Sequence, residues 1–123
     1  MSDKYWGYHL TLDANGCDER LINNRDNIVN FVKTLVQRID MVAFGEPIVE
    51  HFAEHDPEKA GFTLMQMIST SSITGHFVDA TGEAYIDVFS CKPFDIQVVM
   101  DTVTEFFDAD GMKPHYLIRD ASK

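Results

Sequence analysis

The 123-residue chain predicts an α+β fold, a two-layer α/β sandwich in which a mainly antiparallel sheet carries helices on one face. Three observations point there. Two stripes of apolar residues recur at helical spacing, one from Ile28 to Ile39 and one from Ile96 to Phe107. The remaining apolar segments are short, and several end in turn signals such as Asn15-Gly16 and Thr81-Gly82. Strands outnumber helices by six or seven to two, and hairpins dominate, which favours antiparallel pairing. One helix layer leaves the other sheet face uncovered, so a homodimer joined at that face is expected.

The elements follow in chain order. Tyr5–Asp13 alternates, with Tyr8, Leu10 and Leu12 on one side and His9, Thr11 and Asp13 on the other; this is a half-buried strand. Cys17, just past the Asn15-Gly16 turn, reads as a small buried packing residue, and His9 as a strand histidine on a polar face. Asn24 caps a helix running to about Ile39, whose stripe is Ile28, Phe31, Val32, Leu35, Val36 and Ile39. Met41–Phe52 is apolar but broken by Gly45 and Pro47, as in a kinked strand or two short ones. Glu54–Ala60 is a polar loop flanked by His51 and His55, which are expected to be solvated rather than metal ligands. Gly61–Ser69, Ile73–Val78 and Glu83–Phe89 are strands, the last two joined through Thr81-Gly82. Asp87 lies inside an apolar strand, where a buried carboxylate needs partners. Pro93 and Asp95 open the second helix, Gly111 is expected to end it, and Pro114–Arg119 is the last strand.

Composition narrows the function. The apolar fraction of 45% in one chain of this length makes a single core-forming domain, residues 1–123. A net charge of −10 disfavours nucleic acid and anionic membrane surfaces as partners. There is no apolar run long enough to span a bilayer, and Met1–Trp6 lacks the apolar core of a signal peptide. The two cysteines read as free thiols of a cytoplasmic protein.

The chemistry concentrates in Ser69–Cys91. A cluster of hydroxyls, Ser69, Thr70, Ser71 and Ser72, lies between two apolar runs; His76 follows Ser71 by five residues, and Cys91 closes the next strand. A Ser/Thr cluster between strands is by itself ordinary hairpin chemistry. No G-x-S-x-G elbow is present, and lone cysteines with scattered histidines make no zinc site. The spacing nevertheless resembles that of the bacterial S-adenosylmethionine decarboxylase proenzymes. Their pattern reads E-S-H-(L/I)-(S/T)-I-H-T-(W/F)-P-E, then a glycine, then a run like the I-D-V-F-S-C that ends at Cys91 here. Laid without a gap, the cleaved serine falls on Ser71, the processing histidine on His76 and the catalytic cysteine on Cys91, and Gly82, Ile86, Asp87 and Phe89 also match. The family's N-terminal pattern is met by Gly7, His9, Leu10, Gly16, Cys17 and Asp18. The likeness runs over nearly the whole chain and is weakest between Met41 and Gly61.

The resemblance implies that the chain cuts itself between Thr70 and Ser71 and turns Ser71 into a pyruvoyl group. That group's carbonyl would form a Schiff base with a small-molecule substrate and take up electrons during decarboxylation. By the same resemblance His76 assists cleavage, and Cys91 returns a proton to the decarboxylated carbon. This chain departs from the family at Thr70, where the family has glutamate, and at Val78, Asp79 and Ala80, where it has aromatic, proline and glutamate. The lost aromatic and glutamate line the family's nucleoside pocket. Asp79 or Glu83 is therefore the expected substitute acceptor for ribose hydroxyls, and Tyr5, Trp6 or Tyr8 the substitute stacking surface. Two other readings stand beside S-adenosylmethionine decarboxylation for polyamine (spermidine) synthesis. One is a pyruvoyl-dependent ornithine or arginine decarboxylase; the other is an uncleaved, non-enzymatic paralogue.

Overall fold

A computed structural model describes residues 5–122. Six strands form one antiparallel sheet: β1 (Gly7–Asn15), β2 (Ala43–Phe52), β3 (Gly61–Ile68), β4 (Ser71–Val78), β5 (Glu83–Ser90) and β6 (Gly111–Arg119), in spatial order β2-β3-β4-β5-β1-β6. Three helices are present among the described residues: α1 (Glu19–Ile22), α2 (Arg25–Arg38) and α3 (Ile96–Phe107). The α+β architecture is as the sequence predicts.

The core forms where helical and strand periodicities meet. All six residues of the expected stripe, Ile28 through Ile39, are buried, and the Asn24 carboxamide oxygen accepts from the Asn27 amide at 3.1 Å, capping α2. Phe107 of α3 lies 4.8 Å from Phe31 and 5.0 Å from Phe77, centroid to centroid, which ties both helices to β4. Truncating Phe107 to alanine would cost about 3–5 kcal/mol. On the sheet, Leu10, Leu12, Leu64, Ile73, Ile86 and Val88 supply the inner face. The opposite face exposes Phe44, Ile48, Phe52, Met65, Met67 and Tyr85, because side chains alternate along each strand.

Three local expectations need correction, and the choice between a kinked strand and two short ones at Met41–Phe52 is decided for the first. A short helix, α1, starts at the Asp18 cap; four residues give no readable period. Helix α3 ends at Asp108, which adopts φ 52° and ψ 47° and donates its amide to the Thr104 carbonyl, whereas Gly111 begins β6. Aspartate visits the left-handed region more readily than most residues. Strand β6 therefore starts three residues before Pro114. Asp87 is not buried: its side chain is half exposed on the open face, 3.8 Å from His9 Nε2. The Met41–Phe52 segment resolves as one strand, with a register shift between Phe44 and Ile48 at Gly45 and Pro47; Gln66, buried on β3, donates to the Phe44, Gly45 and Met67 carbonyls and holds this irregularity.

Candidate functional site

Strands β3 and β4 pair Ile68 with Ser71, leaving Ser69 and Thr70 as the turn. Thr70 takes φ 58°. That left-handed conformation is an outlier for a β-branched residue, whose crowded Cβ meets the backbone, and it stores about 1–3 kcal/mol. The turn is held from the neighbouring strand end. Thr70 Oγ1 lies 2.7 Å from Cys91 Sγ and donates to the Ser69 carbonyl at 2.5 Å. Cys91 follows directly on β5, where Ser90 is fully buried and its Oγ accepts from the Lys92 amide at 3.0 Å.

Ser71, Cys91 and Lys92 line one cavity of about 160 Å³, walled also by Asp40, Met41 and Val42 at the end of α2. The structure thus brings Thr70, Ser71 and Cys91 together. His76 stands elsewhere. It lies five residues along β4, an odd number, so its side chain points to the face opposite that of Ser71, about 16 Å away at ~3.3 Å per residue. There its Nδ1 is 3.1 Å from Thr63 Oγ1 of β3. Sequence reasoning missed Thr63; no local signal separates it from any other strand threonine.

The other end of β4 carries the substitute acceptors, and they part. The Asp79 carboxylate accepts from His51 Nε2 at 2.7 Å, and its Oδ1 is buried and finds no donor among the described residues. His51 Nδ1 meets Glu54 at 3.3 Å, so His51 is partnered rather than solvated as expected. The hydrogen bond to Asp79 raises its pKa above 6.5, burial opposing and Glu54 adding to the rise. Glu83 faces the open side, where it accepts from the Tyr85 hydroxyl at 3.1 Å and raises that group's pKa.

Of the three candidate stacking residues, Tyr8 is buried against Tyr116, and Tyr5 donates its amide to the Tyr8 hydroxyl. Trp6 is exposed and stacks on Phe89 with centroids 6.0 Å apart. Those two rings and Arg119 wall a cavity of about 710 Å³. Arg119 lies over the Phe89 ring at 5.4 Å and approaches His9 Nδ1 at 3.2 Å. This cavity is at the same end of the sheet as Thr70 and Cys91, since Ser72 pairs with Phe89. Cys17 is buried, its pKa pushed up to about 11 by burial and then by Asp110 and Asp108; it is an unreactive packing thiol. Among the described residues no group of three or more His, Cys, Asp or Glu is arranged to hold a metal ion, and no helix is long and apolar enough to cross a membrane.

Comparison with known proteins bears on this geometry. Residues 8–120 match the profile of the S-adenosylmethionine decarboxylase family. An S-adenosylmethionine decarboxylase proenzyme of Clostridium botulinum (strain Langeland) is 31% identical over 103 residues, covering 83% of this chain and 84% of the relative. The proenzyme of Clostridium kluyveri is 30% identical over 110 residues, 86% of this chain and 80% of the relative. The crystal structure of the adenosylmethionine decarboxylase from Aquifex aeolicus superposes with a TM-score of 0.79 at 19% identity, over 98% of this chain and 95% of that one, which supports the fold.

Proposed function

The chain belongs to the S-adenosylmethionine decarboxylase family, and from that membership we propose that it decarboxylates S-adenosylmethionine in the cytoplasm for polyamine synthesis, using a pyruvoyl group made from Ser71. The observation that carries the proposal is Thr70. The residue before the aligned serine is held in a left-handed conformation, touches Cys91 and borders a cavity lined by the Ser71 residue itself.

Processing begins when Ser71 Oγ attacks the Thr70 carbonyl. The amide becomes an ester, and the Ser71 nitrogen becomes a free amine. Relief of the Thr70 strain favours this step. The Cα proton of residue 71 is then removed, the Cβ–Oγ bond breaks, and Thr70 leaves as a carboxylate. Water hydrolyses the resulting dehydroalanine and releases ammonia. A hydroxyl beside a thiol in a small cavity fits such a group, whose carbonyl supplies the electron sink for decarboxylation. In this reading Cys91, which contacts the turn, returns a proton to the carbon that loses CO₂.

One protomer does not gather every aligned residue. Ser71 and Val78 lie at opposite ends of β4, about 23 Å apart, and His76 faces away from Ser71. We therefore place the site at a homodimer joined through the open face, where exposed Phe44, Ile48, Met65 and Met67 make an apolar surface. In that arrangement the partner subunit's His76 and the partner subunit's Glu83 approach the Thr70–Ser71 peptide from the open face, across the strand end from the Ser71 hydroxyl, with Trp6 on Phe89, also on the open face, as the stacking surface for the nucleoside. Asp79, committed to His51, is a structural residue.

Denaturing gels and mass spectrometry of the purified protein test this. Two fragments, residues 1–70 and 71–123 with the second blocked at its amino terminus, are expected, and Ser71→Ala should stay whole. Mixing Ser71→Ala with His76→Ala chains should restore cleavage of the latter. Cleaved Cys91→Ala should lose most CO₂ release from S-adenosylmethionine. A wild-type chain that remains intact ends the proposal, and a cleaved chain active only on ornithine or arginine replaces its substrate.

A further inference from the structure

We infer that Lys92 is the cation that receives the carboxylate released at Thr70, so that it drives the elimination step of processing rather than the first attack; this rests on the self-cleavage proposed above. Lys92 lines the same cavity as Ser71 and Cys91, and among the described residues of that wall it is the lone positive charge. Its backbone is fixed by the bond from its amide to Ser90 Oγ at 3.0 Å. Its neighbour Cys91 touches Thr70 at 2.7 Å. Its ammonium is parked at the C-terminal end of α2, where Nζ donates to the Asp40 carbonyl at 2.5 Å and lies 3.7 Å from the Asp40 carboxylate. Helix C-termini hold cations there at little cost. The Asp40 carboxylate itself is fully exposed, so solvent screens much of its pull on the ammonium.

Charge decides which step the ammonium assists. Attack of Ser71 Oγ passes through a transient oxyanion on the Thr70 carbonyl but ends as a neutral ester plus an amine, and leaves no lasting negative charge on the Thr70 acyl group. Elimination does. The Cα proton of residue 71 passes to water, its electron pair forms the Cα=Cβ bond, and the Cβ–Oγ pair departs with Thr70 as a carboxylate. A cation that swings from Asp40 across the shared cavity to the developing anion lowers that barrier. In the cut protein, Thr70 becomes a chain end whose carboxylate pairs with Lys92.

The test follows processing of full-length Lys92→Met and Lys92→Arg chains, with and without hydroxylamine, which cleaves esters and spares amides. Lys92→Met should accumulate the ester. Hydroxylamine then cuts it into two fragments, the second starting with an ordinary Ser71 amine, while spontaneous formation of the blocked fragment slows roughly ten-fold or more. Lys92→Arg should process near the wild-type rate. High salt should build up the same ester in the wild-type chain, a readout independent of whether a variant folds. Wild-type processing by Lys92→Met, or slowing without any ester and no salt effect, overturns the role of Lys92. A wild-type chain that neither cuts nor forms ester overturns self-cleavage as well, so the two failures are told apart.

Discussion

Strand β4 has a tight turn at each end, and the two are built oppositely. At Val78–Glu83 the left-handed position is filled by Gly82, φ 75°, which has no Cβ to clash. That turn is also tied down. Gly82 donates to Val78 at 3.0 Å and accepts from Cys17 at 2.9 Å, Asp79 donates its amide to Ala60 at 2.9 Å, and the Asp79 side chain is bonded to His51. At Ile68–Ser71 the left-handed position is filled by Thr70, φ 58°, both turn residues are exposed, and the side-chain ties are to Ser69 and Cys91. The same topological task is met once without strain and once with it. The strained version sits on the bond aligned with the family's cleavage site. Cooperative packing elsewhere over-determines the fold, so one turn can hold a strained geometry.

The largest expected effect comes from spoiling the relaxed turn. A Cβ at Gly82 would lie 2.9 Å from the Cys17 carbonyl oxygen and demand a positive φ from a side-chain-bearing residue. Gly82→Ala, placed in a Ser71→Ala background to keep the chain whole, should lose about 2–3 kcal/mol in urea unfolding. A loss below the error of extrapolation would mean that this turn is not the rigid one. The converse change is gentler. Thr70→Gly relieves strain but adds unfolded-state freedom, so the uncut chain should gain about 1 kcal/mol. If that strain drives the attack, cleavage should slow by a factor of about five. Faster cleavage by Thr70→Gly would show that the turn's strain is incidental.

How much of this was legible in the sequence follows from the range of each interaction. Helices α2 and α3 could be read because their stripes repeat within one segment, and Asn24 and Asp95 cap them as expected. The closeness of the turn to Cys91 was also readable, because β3, β4 and β5 are successive hairpin partners. The odd spacing of Ser71 and His76 already places them on opposite faces of a strand, an implication that the ungapped family match concealed. The pairing of His51 with Asp79 was not legible. These residues lie 28 positions apart, His51 on β2 and Asp79 just past the end of β4, with β3 between those strands, and their contact depends on the register of two ladders. The half exposure of Asp87 was hidden for a related reason: an apolar run shows burial, but only the sheet shows which of its alternate positions meets the helices.

The smallest expected effect concerns how the relaxed turn is held. The hydrogen bond to Asp79, with Glu54 contributing, raises the pKa of His51 above its usual 6.5. The folded protein therefore binds the proton more tightly than the unfolded chain does. The resulting stabilisation is fully present below about pH 6.5 and is lost as pH rises through the folded-state value. The His51 side chain is about a quarter exposed, so solvent screening keeps the contribution at or below ~1 kcal/mol. His51→Gln keeps a neutral donor and removes the titration. In the uncut Ser71→Ala background, the chain that retains His51 should be the more stable at about pH 5.5, and its advantage over His51→Gln should shrink by about pH 8.5. Asp79→Asn should shrink the same difference by removing the charge that His51 faces. If urea unfolding gives the same gap between the two chains at both pH values, the bond from His51 to Asp79 is an ordinary neutral one, and the rigidity of this turn rests on Gly82 and its backbone bonds alone.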